Sequence, residues 1–136
     1  MVVALLVADQ VIRDAMSGKW TIVGVYDKIR VTGFPAMHPN LGVYFRLMDA
    51  EGNYEIRVDV VRFTNDGLET IAKVDGLNAN VKTRMAPSDF GLNIQRVCFP
   101  DAGKYEVRLI ANNELLGEWP MHVTLGVKDV KEGVRE

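Results

Sequence analysis

Apolar and polar side chains alternate along much of this chain, and a period of two puts successive side chains on opposite faces of an extended strand. Leu41, Val43, Phe45 and Leu47 share one face while Arg46 falls on the other; Ile56, Val58 and Val60 do the same against Glu55, Arg57 and Asp59. Both runs read as half-buried antiparallel strands. The polar stretch Asp49-Ala50-Glu51-Gly52-Asn53 between them offers the positive φ angles of a tight hairpin, so the pattern predicts that these two strands pair. Further strands are expected over residues 3–12, 20–26, 68–74, 92–99, 104–111 and 115–125. Turn signals separate most of them, at Ser17-Gly18, Asn65-Asp66-Gly67, Asp75-Gly76, Asp101-Ala102-Gly103 and Asn112-Asn113. No run keeps apolar residues at helical spacing long enough for a core helix, and residues 127–136 are left as a short helix or a frayed end.

Three segments depart from simple alternation. The strand from Trp20 is apolar on both faces, with Trp20, Ile22 and Tyr26 on one side and Val23 and Val25 on the other. Such a strand needs cover from a packed loop or meets another subunit. Residues 34–40 carry Pro35 and Pro39, which exclude a central strand position and predict a crossing between sheets. Residues 76–91 read as a long loop around Met85, a usual place for binding residues on a rigid sandwich.

A chain of 136 residues fits one domain, expected over residues 1–125 with a charged tail over 126–136. Hydrophobic residues at 48% and charged residues at 25% are the balance of a chain that folds unaided. The net charge is −2, with Lys and Arg scattered among Asp and Glu, so the concentrated positive field that nucleic acid requires is missing. A single cysteine excludes an internal disulfide and fits a reducing compartment. The apolar start is too short and wrongly flanked for a signal peptide or a membrane span, so a cytoplasmic location without membrane partners is expected.

Candidate chemistry is sparse. Cys98 would need His38 or His122 within hydrogen-bond reach to act as a nucleophile, and beside Val97 and Phe99 it reads instead as a small core hydrophobe. His122 reads as a surface residue, and His38 lies in the proline-rich segment without a clear carboxylate or second ligand. The turn acids Asp49, Glu51, Asp66, Asp75, Asp89 and Asp101 do not reproduce an EF-hand order. Neither a phosphate-binding glycine loop nor a nucleophile elbow is present. Charges on Arg46, Glu55, Arg57, Asp59, Glu106 and Arg108 alternate in sign and read as cross-strand pairs that keep a sheet surface solvated. No catalytic residue, metal or cofactor is therefore assigned.

Two blocks carry a resemblance. The first runs Ala8-Asp9-Gln10-Val11-Ile12-Arg13-Asp14-Ala15-Met16-Ser17-Gly18-Lys19-Trp20-Thr21-Ile22-Val23-Gly24-Val25-Tyr26-Asp27 and continues into Phe34-Pro35-Ala36-Met37-His38-Pro39; the second is Phe99-Pro100-Asp101-Ala102-Gly103-Lys104-Tyr105-Glu106-Val107-Arg108-Leu109 with Leu115-Leu116-Gly117-Glu118. Together they resemble a bacterial family of small stand-alone proteins known only as a domain of unknown function. The resemblance implies a bacterial cytoplasmic protein with a sandwich fold, and transfers no activity and no site. From the residues themselves the expected fold is an all-β antiparallel sandwich of immunoglobulin-like or Greek-key type, with roughly seven to nine strands. The expected role is a non-enzymatic protein-interaction or self-association module, presenting Trp20, Ile22, Val23, Val25 and Tyr26. The alternative is a small-molecule or carbohydrate-binding module using His38, Tyr44, Arg84 and Asp89, and a third class is an enzyme built on Cys98 or a histidine.

Overall fold

The structure, a computed structural model, describes residues 1–126, and these contain nine strands and no helix. The strands are β1 (Val2–Arg13), β2 (Trp20–Val25), β3 (Lys28–Val31), β4 (Ala36–Met48), β5 (Gly52–Thr64), β6 (Gly67–Val81), β7 (Ser88–Phe99), β8 (Gly103–Ala111) and β9 (Glu114–Leu125). They form a four-stranded sheet in the order β2-β1-β4-β7 and a five-stranded sheet in the order β3-β9-β8-β5-β6. Every pairing is antiparallel except β3 with β9. The expected tail and the short helix at residues 127–136 lie outside the described residues.

The alternating faces find each other across the sandwich. Leu41, Val43, Phe45 and Leu47 of the first sheet and Ile56, Val58, Val60, Val107 and Leu109 of the second are all essentially inaccessible and belong to one core. Phe45 stacks on Phe90 with ring centroids 5.1 Å apart, and Phe99 meets Tyr105 edge-on at 5.0 Å. The buried Tyr105 hydroxyl donates to the Asp101 carbonyl at 2.6 Å and accepts from the Asp101 amide at 3.4 Å. This is the tyrosine corner that ties the start of a strand to the inter-sheet crossing in immunoglobulin-type sandwiches. Strands β1, β4 and β7 on one side, and β9, β8, β5 and β6 on the other, follow that topology, with the first sheet extended by the β1–β2 hairpin.

The pairing expected between β4 and β5 is not formed: β4 lies in one sheet and β5 in the other, and residues 49–51 bridge between sheets with Ala50 buried. Alternation shows that each strand buries one face, but strands packed face to face across a core alternate in the same way as strands paired side by side. Asp75-Gly76 is likewise no turn. It is a bulge inside β6, where the register shifts against Ile56 and Val58 and Gly76 takes φ +77°. With β6 running to Val81 and β7 starting at Ser88, the expected long loop shrinks to residues 82–87. Residues 32–35 do cross between sheets, but Pro39 lies within β4. Its missing N–H is tolerated there because the β1 ladder has already ended at Ala8 opposite Gly42, leaving β4 a neighbour on one side only.

Candidate functional site

Beyond Ala8, β1 leaves β4 and continues with β2 alone, so that the hairpin lies over the outer face of β4 and β7. Asn93 takes over the lost ladder: its Nδ2 donates to the Val11 carbonyl at 2.9 Å, and its Oδ1 accepts from the Val11 amide at 3.1 Å. Asn40 Nδ2 donates to the Asp9 carbonyl at 2.8 Å. Two glycines make room beneath. A Cβ on Gly42 would lie 2.9 Å from Val11 Cγ2, and one on Gly91 would collide with the Trp20 ring and Val11. The turn that closes the hairpin is tied through Asp14, whose carboxylate accepts from the Met16 amide and the Ser17 hydroxyl, both at 2.9 Å. Those bonds, the Met16 amide first, hold the Asp14 carboxyl below the usual aspartate value.

A groove of about 490 Å³ opens between this turn and the sheet, lined by Ser17, Lys19, Trp20, Tyr44, Arg46 and Asp89 among others. At its floor Arg46 grips Asp89 through a two-pronged ion pair, Nε to Oδ1 at 2.6 Å and Nη2 to Oδ2 at 3.0 Å. The guanidinium depresses the Asp89 carboxyl, and the carboxylate raises Arg46 further above its already high value. Burial pushes the Tyr44 phenol up. Trp20 stands against Tyr44 with ring centroids 6.1 Å apart and planes tilted by 58°.

The opposite side of the hairpin is apolar and open. Val23 is 44% exposed, Val25 53% and Ile12 42%, while Trp20 and Ile22 turn toward the sheet and are half-buried. The cover expected for the Trp20 face is thus the molecule's own sheet. Gly24, at φ +71°, bends β2 opposite Asp9, and any side chain there would strike the Asp9 carboxylate. Just beyond, the Tyr26 hydroxyl lies 3.0 Å from His38 Nε2, and Trp119 Nε1 donates to the Tyr26 carbonyl at 2.9 Å. Burial lowers the His38 pKa from 6.5, against the opposing pull of Asp9 and the Asn40 backbone. Burial first, and the Asp9 charge second, raise the Tyr26 phenol.

Of the expected ligand residues, Tyr44 and Asp89 meet in the groove, whereas His38 is bonded to Tyr26 and Arg84 reaches Asp49 at 3.6 Å and Glu51 at 3.5 Å. None but Arg84 sits in a loop: His38 and Tyr44 are on β4 and Asp89 is on β7. Cys98 is exposed on the outer face opposite Met37, which corrects its reading as a core residue; the alternation puts its neighbours Val97 and Phe99 inward. His122 is exposed on β9, as expected. No group of three or more His, Cys, Asp or Glu able to hold a metal occurs among the described residues. Sequence reading missed Arg46, Lys19 and Ser17 as groove residues. The i, i+2 pair Tyr44 and Arg46, which shares the outer face of β4, was the available signal.

The two-sheet topology and the tyrosine corner define an immunoglobulin-type sandwich carrying a hairpin over one outer face. Residues 3–124 match the family of unknown function DUF6941, and the chain belongs to that family. No curated protein matches it. Among solved structures, an immunoglobulin-like protein (PA1606) from Pseudomonas aeruginosa is similar at 14% identity, with 88% of this chain and 91% of that chain covered and a TM-score of 0.44. The alkylpurine DNA glycosylase AlkC of Pseudomonas fluorescens is similar over 71% of this chain at 13% identity, with a TM-score of 0.42. A beta-glucosidase from Listeria innocua is similar over 93% at 10% identity, with a TM-score of 0.45. The chain spans 27% of the glycosylase and 16% of the glucosidase.

Proposed function

We propose that this chain is a non-enzymatic association module that pairs with a second copy of itself through β2. The observation that carries the proposal is the contrast among the edge strands. β3 bears Lys28 and Arg30, β6 bears Glu69, Lys73 and Asp75, and β7 bears Asp89 and Arg96. Such charges are how sheet edges resist strand addition. β2 has no charged residue from Trp20 to Val25, and Val23 and Val25 stand exposed on it. Its flanks have opposite sign, Lys19 before and Asp27 after. Antiparallel pairing about a two-fold axis centred on Val23 sets Lys19 of one copy against Asp27 of the other, whereas parallel pairing sets like against like. A non-enzymatic role is supported by the engagement of His38 with Tyr26, which holds that imidazole within the fold.

Sedimentation velocity over a concentration series tests the proposal. The wild-type chain is expected to dimerise, and Val23→Lys to sediment as a folded monomer, because Val23 is already exposed, with an unfolding midpoint that no longer rises with protein concentration. Lys19→Glu is expected to weaken the dimer, and Asp27→Lys added to it to restore it. A wild-type chain that stays monomeric throughout, or a Val23→Lys dimer of undiminished affinity, overturns it.

A further inference from the structure

The groove on the other side of the hairpin has a chemistry that self-association does not use. Trp20 and Tyr44 supply tilted aromatic planes, and the Arg46–Asp89 pair lies beside them. Because Arg46 and Asp89 hold each other by only part of their capacity, N–H donors and carboxylate lone pairs remain side by side. The Tyr44 hydroxyl both donates and accepts as well, while the Ser17 O–H is committed to Asp14. An anion needs donors alone, and Asp89 opposes it; a cation needs acceptors alone, and Arg46 and Lys19 oppose it. A row of hydroxyl groups, each both donor and acceptor, uses both sets at once. The aromatic planes in turn suit a ring with an apolar C–H face. From this combination we infer that the groove binds a saccharide, its C–H face against Trp20 and a vicinal diol on Arg46 and Asp89.

The volume of about 490 Å³ falls within the range of small-molecule sites, roughly 300–1,000 Å³. The groove is pre-formed, because Trp20 rests on Gly91, where no side chain larger than hydrogen fits, and Arg46 is locked by its carboxylate before any ligand arrives. Ser17 Oγ is held by Asp14, and the turn behind it is closed by the Asp14 and Lys19 backbone at 2.8 Å.

The test is ligand-observed NMR saturation transfer on the full chain with glucose, galactose, N-acetylglucosamine, maltose, cellobiose and chitobiose as probes, and with inorganic phosphate in competition. At least one sugar is expected to receive saturation on its ring C–H protons, to shift the Trp20 indole resonance of the two tryptophans, and to be unaffected by phosphate. Asp89→Asn should weaken that binding roughly tenfold or more, the loss of a charge-assisted hydrogen bond. Trp20→Phe should weaken it less, and Val23→Lys on the far side of the hairpin should leave it unchanged. Thermal unfolding of Asp89→Asn verifies that the variant is folded, and Lys19→Ala, at an exposed position, provides a second reading of the groove. Absence of saturation transfer to every sugar overturns the inference. So does binding that phosphate displaces, or binding that survives Asp89→Asn and Lys19→Ala undiminished.

Discussion

The outer faces of the two sheets are built on opposite plans. On the five-stranded sheet, Arg57 reaches Asp59 at 3.1 Å and Arg108 reaches Glu106 at 2.9 Å, while Asp59 stands opposite Arg108 in the ladder. The long guanidinium side chains lie over their carboxylates, so that Asp59 and Glu106 are only 7% and 8% exposed. That face needs no second layer. The four-stranded sheet instead places Gly42 and Gly91 outward, takes a hairpin onto them, and exposes a groove on one side of that hairpin and apolar residues on the other. A charged ladder finishes a surface cheaply, whereas a bare glycine floor with a roof over it creates concavity and a new edge. The groove and the open apolar edge are on the second face for that reason.

The comparison breaks most sharply at the floor. Gly91→Val should displace Trp20 and Val11 and cost about 3 kcal/mol, as measured by denaturant unfolding, because the indole ring and the Val11 side chain must both give way. The glycines of the second sheet that face open space, such as Gly52 and Gly67, carry no such packing constraint. Asn93→Leu leaves the Val11 amide and carbonyl without partners, and a loss of about 2 kcal/mol is expected, together with faster amide exchange confined to the hairpin. On the charged face, Arg57→Ala should cost roughly 1 kcal/mol, since Asp59 keeps Arg108 opposite it. The smallest effect is with pH. His38 titrates below its ordinary 6.5 in the folded chain, so the unfolded chain binds the proton more readily. The stability held by neutral His38 is therefore complete above pH 6.5 and declines as the pH falls through the folded value. His38→Gln should remove that slope, read from unfolding midpoints across the acid range.

The strands were legible because burial on one face writes itself into period two, and the turn at Asn112-Asn113 was legible because both residues take positive φ, at 49° and 66°. The partner of each strand was not. Leu41 to Leu47 and Ile56 to Val60 alternate identically whether they pair or face each other, and only closure of the whole sandwich decides it. Asp75-Gly76 misled because a bulge and a turn ask for the same residues. At the candidate site, Trp20 to Tyr26 stood out by being apolar on both faces, while the groove did not, since Lys19, Tyr44, Arg46 and Asp89 come from three separate segments. Arg46 read as a solvated charge because its partner Asp89 is distant in sequence and the intervening chain belongs to the other sheet. Cys98 shows the converse: neighbours in sequence made it look buried, and the pleat turned it outward.

The central claim is that β2 is the edge through which two copies meet, and amide hydrogen exchange followed as a function of protein concentration tests it most directly. The account predicts that amides within Trp20–Val25 gain protection as concentration rises, while those of the charged edges β3, β6 and β7 exchange at a constant rate. Constant exchange along β2, or concentration-dependent protection of a different edge, would contradict it.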